Sequence, residues 1–147
     1  MRNRLFDLDH QLCAPGVAWI CHQFRPGGSI FGIGEEAAIA QALDLPLQIG
    51  ENFNSALVMS QNLAARACDF VMPDIARIGG VTGWMQAAGV AAAHGVPISS
   101  HLMPEVSAQV LCASSTCGWL EYVDWADVLL QEPLRIVSGY VQLLARR

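Results

Sequence analysis

The sequence predicts an α/β fold: short parallel strands joined by crossover helices, of a size that matches the C-terminal half of a (β/α)8 TIM-type barrel. Three observations carry this. From residue 35 onward, helix-like and strand-like segments alternate as α-β-α-β-α-β-α-β, the signature of a parallel sheet with helical crossovers. The strand-like runs are apolar without polar alternation, as expected when both faces of a sheet are covered. The units repeat every ~23 to 27 residues, compact enough for a barrel, but a whole barrel takes roughly 250 residues. The chain has 147 and shows four such strands, so the reading is half a barrel or a small open sheet.

Taken in order, residues 35–43 read as a helix, EEAAIAQAL, with its apolar residues on one face. Residues 46–49 form a short apolar strand that ends in Gly50-Glu51-Asn52. Residues 55–67 are helical, with Asn54 as a plausible N-cap. Residues 69–72 form a strand running into Pro73-Asp74, and a turn leads to a helix over 81–93 that Gly95 stops. A strand over 96–99 ends in Ser100-His101, residues 104–114 are helical, and residues 119–123 form a strand carrying Glu121. Two β-like pieces, 134–137 and 140–143, flank Ser138-Gly139. Residues 1–34 do not share this rhythm. Pro15, Gly16, Pro26, Gly27, Gly28, Gly32 and Gly34 interrupt them, and the stretch reads as irregular chain. The division expected is therefore an irregular segment, 1–34, and a partial barrel domain, 35–147.

Composition narrows the function. Hydrophobic residues make up 53% and charged residues 14%, which excludes intrinsic disorder and leaves few solvated faces. The net charge of -5 argues against a nucleic-acid partner. No apolar run reaches about eighteen residues, so no membrane span is expected, and the mixed charges of MRNRLFDLDH are unlike a secretory signal. The eight basic residues are all arginine, which excludes a Schiff-base, P-loop or general-base lysine. The cysteines Cys13, Cys21, Cys68, Cys112 and Cys117 are odd in number and form no CxxC, so reduced thiols in a cytoplasmic protein are expected.

Ionisable residues gather at one place in each unit, the C-terminal end of the strand: Glu51, Asp74, His101 and Glu121. In a parallel barrel those ends make one face, where active sites are built. Singly, each has an ordinary structural role, as a cap, a turn former or a core histidine. Their regular placement points to a shared cleft. A neutral His takes up a proton near physiological pH, and an Asp bonded to its other nitrogen would fix its tautomer. Asp74 and His101, on neighbouring strand ends, are placed for such a dyad. Glu51 is a hard oxygen ligand suited to Mg²⁺. Glu121, if desolvated, would have a raised pKa and could donate a hydrogen bond to a developing oxyanion.

Gly50-Glu51-Asn52, the run PDIARIGGVTGW from Pro73 to Trp84, Ser99-Ser100-His101-Leu102, and Trp119-Leu120-Glu121-Tyr122 resemble the C-terminal half of the enolase superfamily, mandelate racemase subgroup. The resemblance covers about residues 35–140, and the second run combined with SSHL is the specific part. It implies a modified (β/α)8 barrel that abstracts a proton next to a carboxylate and holds the enediolate with Mg²⁺. Glu51 would be the third metal ligand, on strand five. Asp74 and His101 would be the dyad on strands six and seven. Glu121, on strand eight, would be the acid that hydrogen-bonds the substrate carboxylate.

The sequence also departs from the family. The family's lysine pair on strand two has no counterpart in a lysine-free chain, and no carboxylate lies between His22 and Ile33, where the preceding metal ligand belongs. Two of three protein ligands for Mg²⁺ are thus expected to be missing from this chain, and the family's N-terminal capping domain with them. The expectation is a truncated mandelate racemase-like enzyme. Its parent would be a racemase (isomerase) or acid-sugar dehydratase (lyase) acting on a hydroxy acid or acid sugar, with this chain inactive alone. Racemisation needs two opposed bases, whereas dehydration could use His101 as base and then acid. The alternative is an inactive remnant or a self-associating interaction module. Open edges at the fifth and eighth strands predict a homo-oligomer or pairing with a missing half-barrel. Gly79-Gly80-Val81-Thr82-Gly83 opens a helix and could receive an anion, although packing is the commoner use of such glycines.

Overall fold

The computed structural model describes residues 6–7, 18–19 and 32–143. In chain order the elements are β1 (Phe6–Asp7), β2 (Ala18–Trp19), α1 (Ile33–Ala42), β3 (Leu47–Ile49), α2 (Ala56–Ala64), β4 (Phe70–Val71) and α3 (Gly80–His94). Then follow β5 (Ile98–Ser100), α4 (Pro104–Ala113), β6 (Cys117–Leu120), a 3-10 turn (Asp127–Leu129), β7 (Arg135–Val137) and β8 (Tyr140–Gln142). Strands β2 to β6 form one parallel sheet whose spatial order is the chain order. Each crossover therefore advances the sheet by one strand, as around a barrel, with no reversal of the kind that makes a doubly wound sheet. β7 and β8 form an antiparallel hairpin, and β1 pairs with the other edge of β8.

The helices start and stop for local reasons. Glu35 Oε2 reaches back to accept from Gly32 N–H at 3.0 Å and opens α1. Ser55, rather than the expected Asn54, caps α2: its Oγ accepts from Val58 N–H at 3.3 Å. Gly95 ends α3 as expected, in the left-handed conformation at φ 67°, with Val96 N–H closing on Ala91 O at 2.9 Å. Pro104 opens α4 at the first helical position. Inside α3, Gly83 lies against the carbonyl of Ile78 so closely that a Cβ would collide with it. Gly83 therefore serves packing, whereas Gly79 and Gly80 supply the positive φ, 101° and 68°, of the turn into the helix.

The core lies between the sheet and its helices. Leu47, Ile49, Val71, Ile98 and Leu120 from the strands pack with Met59, Leu63, Trp84, Ala87, Ala91 and Leu111 from the helices. Trp84 is fully buried, and its indole N–H donates to Ser114 Oγ at 3.1 Å, which ties α3 to the end of α4.

Three expectations need correction. The segment 1–34 is not wholly irregular: β1 and β2 lie in it, and β2 extends the parallel sheet to five strands. A two-residue strand carries no hydrophobic pattern that a sequence could reveal. The rest of residues 1–31, Cys13 and Cys21 included, lies outside the described residues. Consequently β3 is not an edge, because Ala18 and Trp19 pair with Leu47 and Gln48. Finally, Glu121 lies one residue beyond β6 rather than within a strand.

Candidate active site

The C-terminal ends of β3 to β6 bring the four ionisable candidates to one rim. At the end of β3, Gly50 takes φ 137°, and a Cβ there would sit 2.9 Å from Met72 N and 3.0 Å from the Phe53 ring. Only glycine suits that turn, and Glu51 follows it. Beyond β4, the backbone of Asp74 forms an isolated parallel bridge with His101, and His101 N–H donates to Pro73 O at 3.2 Å. Asp74 and His101 are thus held side by side as backbone neighbours. Asp74 Oδ1 accepts from Ala76 N–H at 2.7 Å, which fixes the carboxylate at the start of the following turn.

The Ser99-Ser100 pair before His101 has a structural task. The register between β5 and β6 shifts there, and the two hydroxyls make up for the interrupted ladder. Ser99 Oγ accepts from Trp119 N–H at 3.0 Å and Ser100 Oγ from Glu121 N–H at 3.2 Å. Gly118 leaves room for this, since a Cβ would lie 2.6 Å from Ser99 Oγ. The outcome is that Glu121 faces His101.

His101 lies between two carboxylates. Its Nδ1 is 2.9 Å from Glu121 Oε2, and its Nε2 is 3.9 Å from Glu51 Oε2. Burial alone would lower its pKa. The contact with Glu121 and the charges of Glu121, Glu51 and Asp74 outweigh that, and the pKa is raised above the ordinary 6.5. For Glu121 the expectation of a raised pKa is wrong in this resting arrangement. Burial pushes its carboxyl up, but the contact with His101 and the hydrogen bond from Leu102 N–H, 2.6 Å long, hold it below the ordinary 4.5. Glu121 is therefore placed as a carboxylate that favours the protonated form of His101. Leu102 and Met103 both adopt left-handed backbone, at φ 53° and 47°. This strained pair turns the Leu102 N–H onto Glu121, and strain of this kind gathers at functional sites.

Two contributors were visible in the sequence motifs without a role. Asn52 Nδ2 donates to Glu51 Oε1 at 3.3 Å, and Arg77 Nη1 donates to Asn52 Oδ1 at 2.9 Å. No spacing rule pairs residues 25 positions apart on different strands.

A magnesium ion fits this rim poorly. Glu51 offers one hard carboxylate, but among the described residues no three His, Cys, Asp or Glu side chains come together to hold a metal. Residues 11–34, which include β2, the strand paired with β3, contain no Asp or Glu. Mg²⁺ takes six oxygen ligands in near-ideal geometry, several of them usually water, and Glu51 supplies one protein ligand of such a site. Cys68 is inert, since burial, with Asp69 and Glu36 nearby, pushes its thiol up to about 12. A groove of about 570 Å³ between α4 and the 129–134 segment is lined by Glu105, Gln109, Leu134 and Gln142, among others, and by none of the four rim candidates. No described helix is long and apolar enough to cross a membrane.

Comparison with known proteins gives a consistent picture. The pattern of the enolase C-terminal domain-like family matches residues 32–147. An L-talarate/galactarate dehydratase from Salmonella typhimurium LT2 is 33% identical over 109 residues, covering 74% of this chain and 27% of that enzyme. An enolase from alpha pretobacterium bal199, crystallised with Mg, superposes with a TM-score of 0.74 at 50% identity, over 76% of this chain and 31% of that one. An enolase from Bradyrhizobium complexed with magnesium and mandelic acid superposes with a TM-score of 0.74 at 40% identity, over 78% and 32%. The chain thus spans less than a third of the length of each of these relatives.

Proposed function

Because the chain belongs to the enolase C-terminal domain-like family, we propose that it carries the acid–base side of a site that removes a proton next to the carboxylate of a hydroxy acid or acid sugar. The observation that supports this is His101 on the strand-end rim, 2.9 Å from Glu121 and 3.9 Å from Glu51. In a dehydration, His101 takes the α-proton and returns it to the β-hydroxyl, which leaves as water; the enol then becomes a keto acid. Asp74 acts as the neighbouring charge that favours the imidazolium.

As a base His101 works in its neutral form, and as an acid Glu121 donates to the substrate carboxylate in its protonated form. A substrate carboxylate beside Glu121 is a like charge, which favours that protonated form. Glu51 is the one described carboxylate suited to a metal; the remaining ligands, and a second base for racemisation, must come from residues other than those described. The chain alone is expected to be inactive. The second reading, a remnant or self-associating module without turnover, is favoured by the single carboxylate suited to a metal among the described residues.

The experiment joins this chain, from residue 32, behind the part of the Salmonella dehydratase that precedes its matched segment. Galactarate and L-talarate are then assayed for loss of water. Turnover is expected, falling at least about 100-fold in His101→Asn with the fold intact. A folded chimera without turnover, or a His101→Asn variant as active as its parent, overturns the proposal.

A further inference from the structure

The polar chain at the rim runs past the four acid–base candidates to a cation. Arg77 lies in the turn after β4, where its N–H donates to Asp74 O at 3.1 Å. From there its guanidinium reaches two strand ends. Nε lies 3.8 Å from Asp74 Oδ2, and Nη1 donates to Asn52 Oδ1 at 2.9 Å. Asn52 passes the contact on, donating from Nδ2 to Glu51 Oε1 at 3.3 Å. The described residues include three arginines, Arg66, Arg77 and Arg135, and of these Arg77 is the one bonded to the rim.

We propose that Arg77 is a positioning residue for the acid–base pair: through Asn52 it holds one oxygen of Glu51, so that the other stays turned toward His101, while its Nε steadies Asp74 beside the same imidazole. Glu51 and Asp74 end neighbouring strands, which in a parallel sheet run about 4.8 Å apart, and as like charges they repel. The Arg77 guanidinium lies against Asp74 and, through Asn52, reaches Glu51, so one cation is tied to both strand ends. The group has to be a guanidinium. Two nitrogens of one rigid plane serve two strand ends, whereas a lysine ammonium is a single point charge. Arg77 is 45% exposed in its side chain, and ion pairs so placed add little to folding; the use of this one is geometric. For its chemical purpose this role rests on the acid–base reading above, but the contact is testable without turnover.

The test is NMR on the full chain, at one pH where the imidazolium is fully formed in every variant. It reads the ring ¹⁵N signals of His101 and the side-chain carboxyl ¹³C signal of Glu51. Arg77→Met, Arg77→Lys and Asn52→Ala are each expected to move both signals. In the Arg77→Met/Asn52→Ala double variant the Glu51 signal should move no further than in Asn52→Ala alone, because Arg77 reaches Glu51 through Asn52. The melting temperature should stay within about 2 °C of the parent's. Unmoved signals in Arg77→Met overturn the proposal, as do parent-like signals in Arg77→Lys. If Arg77→Met fails to fold, Asn52→Ala breaks the relay without removing the cation, and unmoved signals in that variant overturn the proposal equally. Loss of activity in the chimera would sink the acid–base reading and leave this result standing, and the reverse also holds.

Discussion

His101 and Glu121 stabilise each other only while both are charged, and this makes the fold sensitive to pH in a definite window. The pKa of His101 is raised, so its contribution is fully present below the ordinary 6.5 and fades as pH rises through the folded-state value. The pKa of Glu121 is lowered, so its contribution is present above the ordinary 4.5 and fades as pH falls through the folded-state value. Chemical denaturation across the pH range should show the pair's stabilisation greatest between about 4.5 and 6.5, and Glu121→Gln should flatten that feature. At this scale the strand-end residues Glu51, Asp74, His101 and Glu121 could be singled out from the sequence, because each ends an apolar run. Which of them touch could not. The approach of Glu121 to Nδ1 depends on the Ser99 and Ser100 hydroxyls and on a register shift, and Arg77 meets Asn52 only through the turn after β4.

Helices were legible to within a few residues and strands less so, for a physical reason. A helix carries its own signals: Gly95 stops α3 and Pro104 starts α4. Here a strand is two to four residues long, with polar residues such as Gln48, Ser99 and Ser100 among them, and is defined by its neighbours. The adjacent polar residues Asn54 and Ser55 both suit an N-cap, and the choice between them is set by backbone conformation. Ser55→Ala should cost about 1 kcal/mol in denaturant unfolding, and Asn54→Ala should cost much less; the reverse order would show that the cap is misassigned. Gly83 is the tighter constraint. The methyl of Gly83→Ala would meet the Ile78 carbonyl, so α3 must shift, and a loss of about 1–3 kcal/mol is expected, measured as a lower midpoint with an unchanged m-value.

Five parallel strands in chain order, each followed or preceded by a helix on the way round, place β3 to β6 so that their ends share one rim. That arrangement matches less than a third of each relative described, and among the described residues it offers one carboxylate suited to a metal. Calorimetry with millimolar Mg²⁺ should therefore give no heat of binding; a clear signal that vanishes in Glu51→Gln would show that the rim is a more complete site than its described residues indicate. The convergence of four strand ends is a property of the whole sheet, and His101 is its reporter. The most direct measurement is an NMR titration of the His101 imidazole in the intact chain. The contacts of His101 with Glu121 and Glu51 predict a pKa above the ordinary 6.5, lowered in Glu121→Gln and, by a smaller amount, in Glu51→Gln. A His101 that titrates at or below 6.5 and ignores both substitutions would contradict the assembled rim.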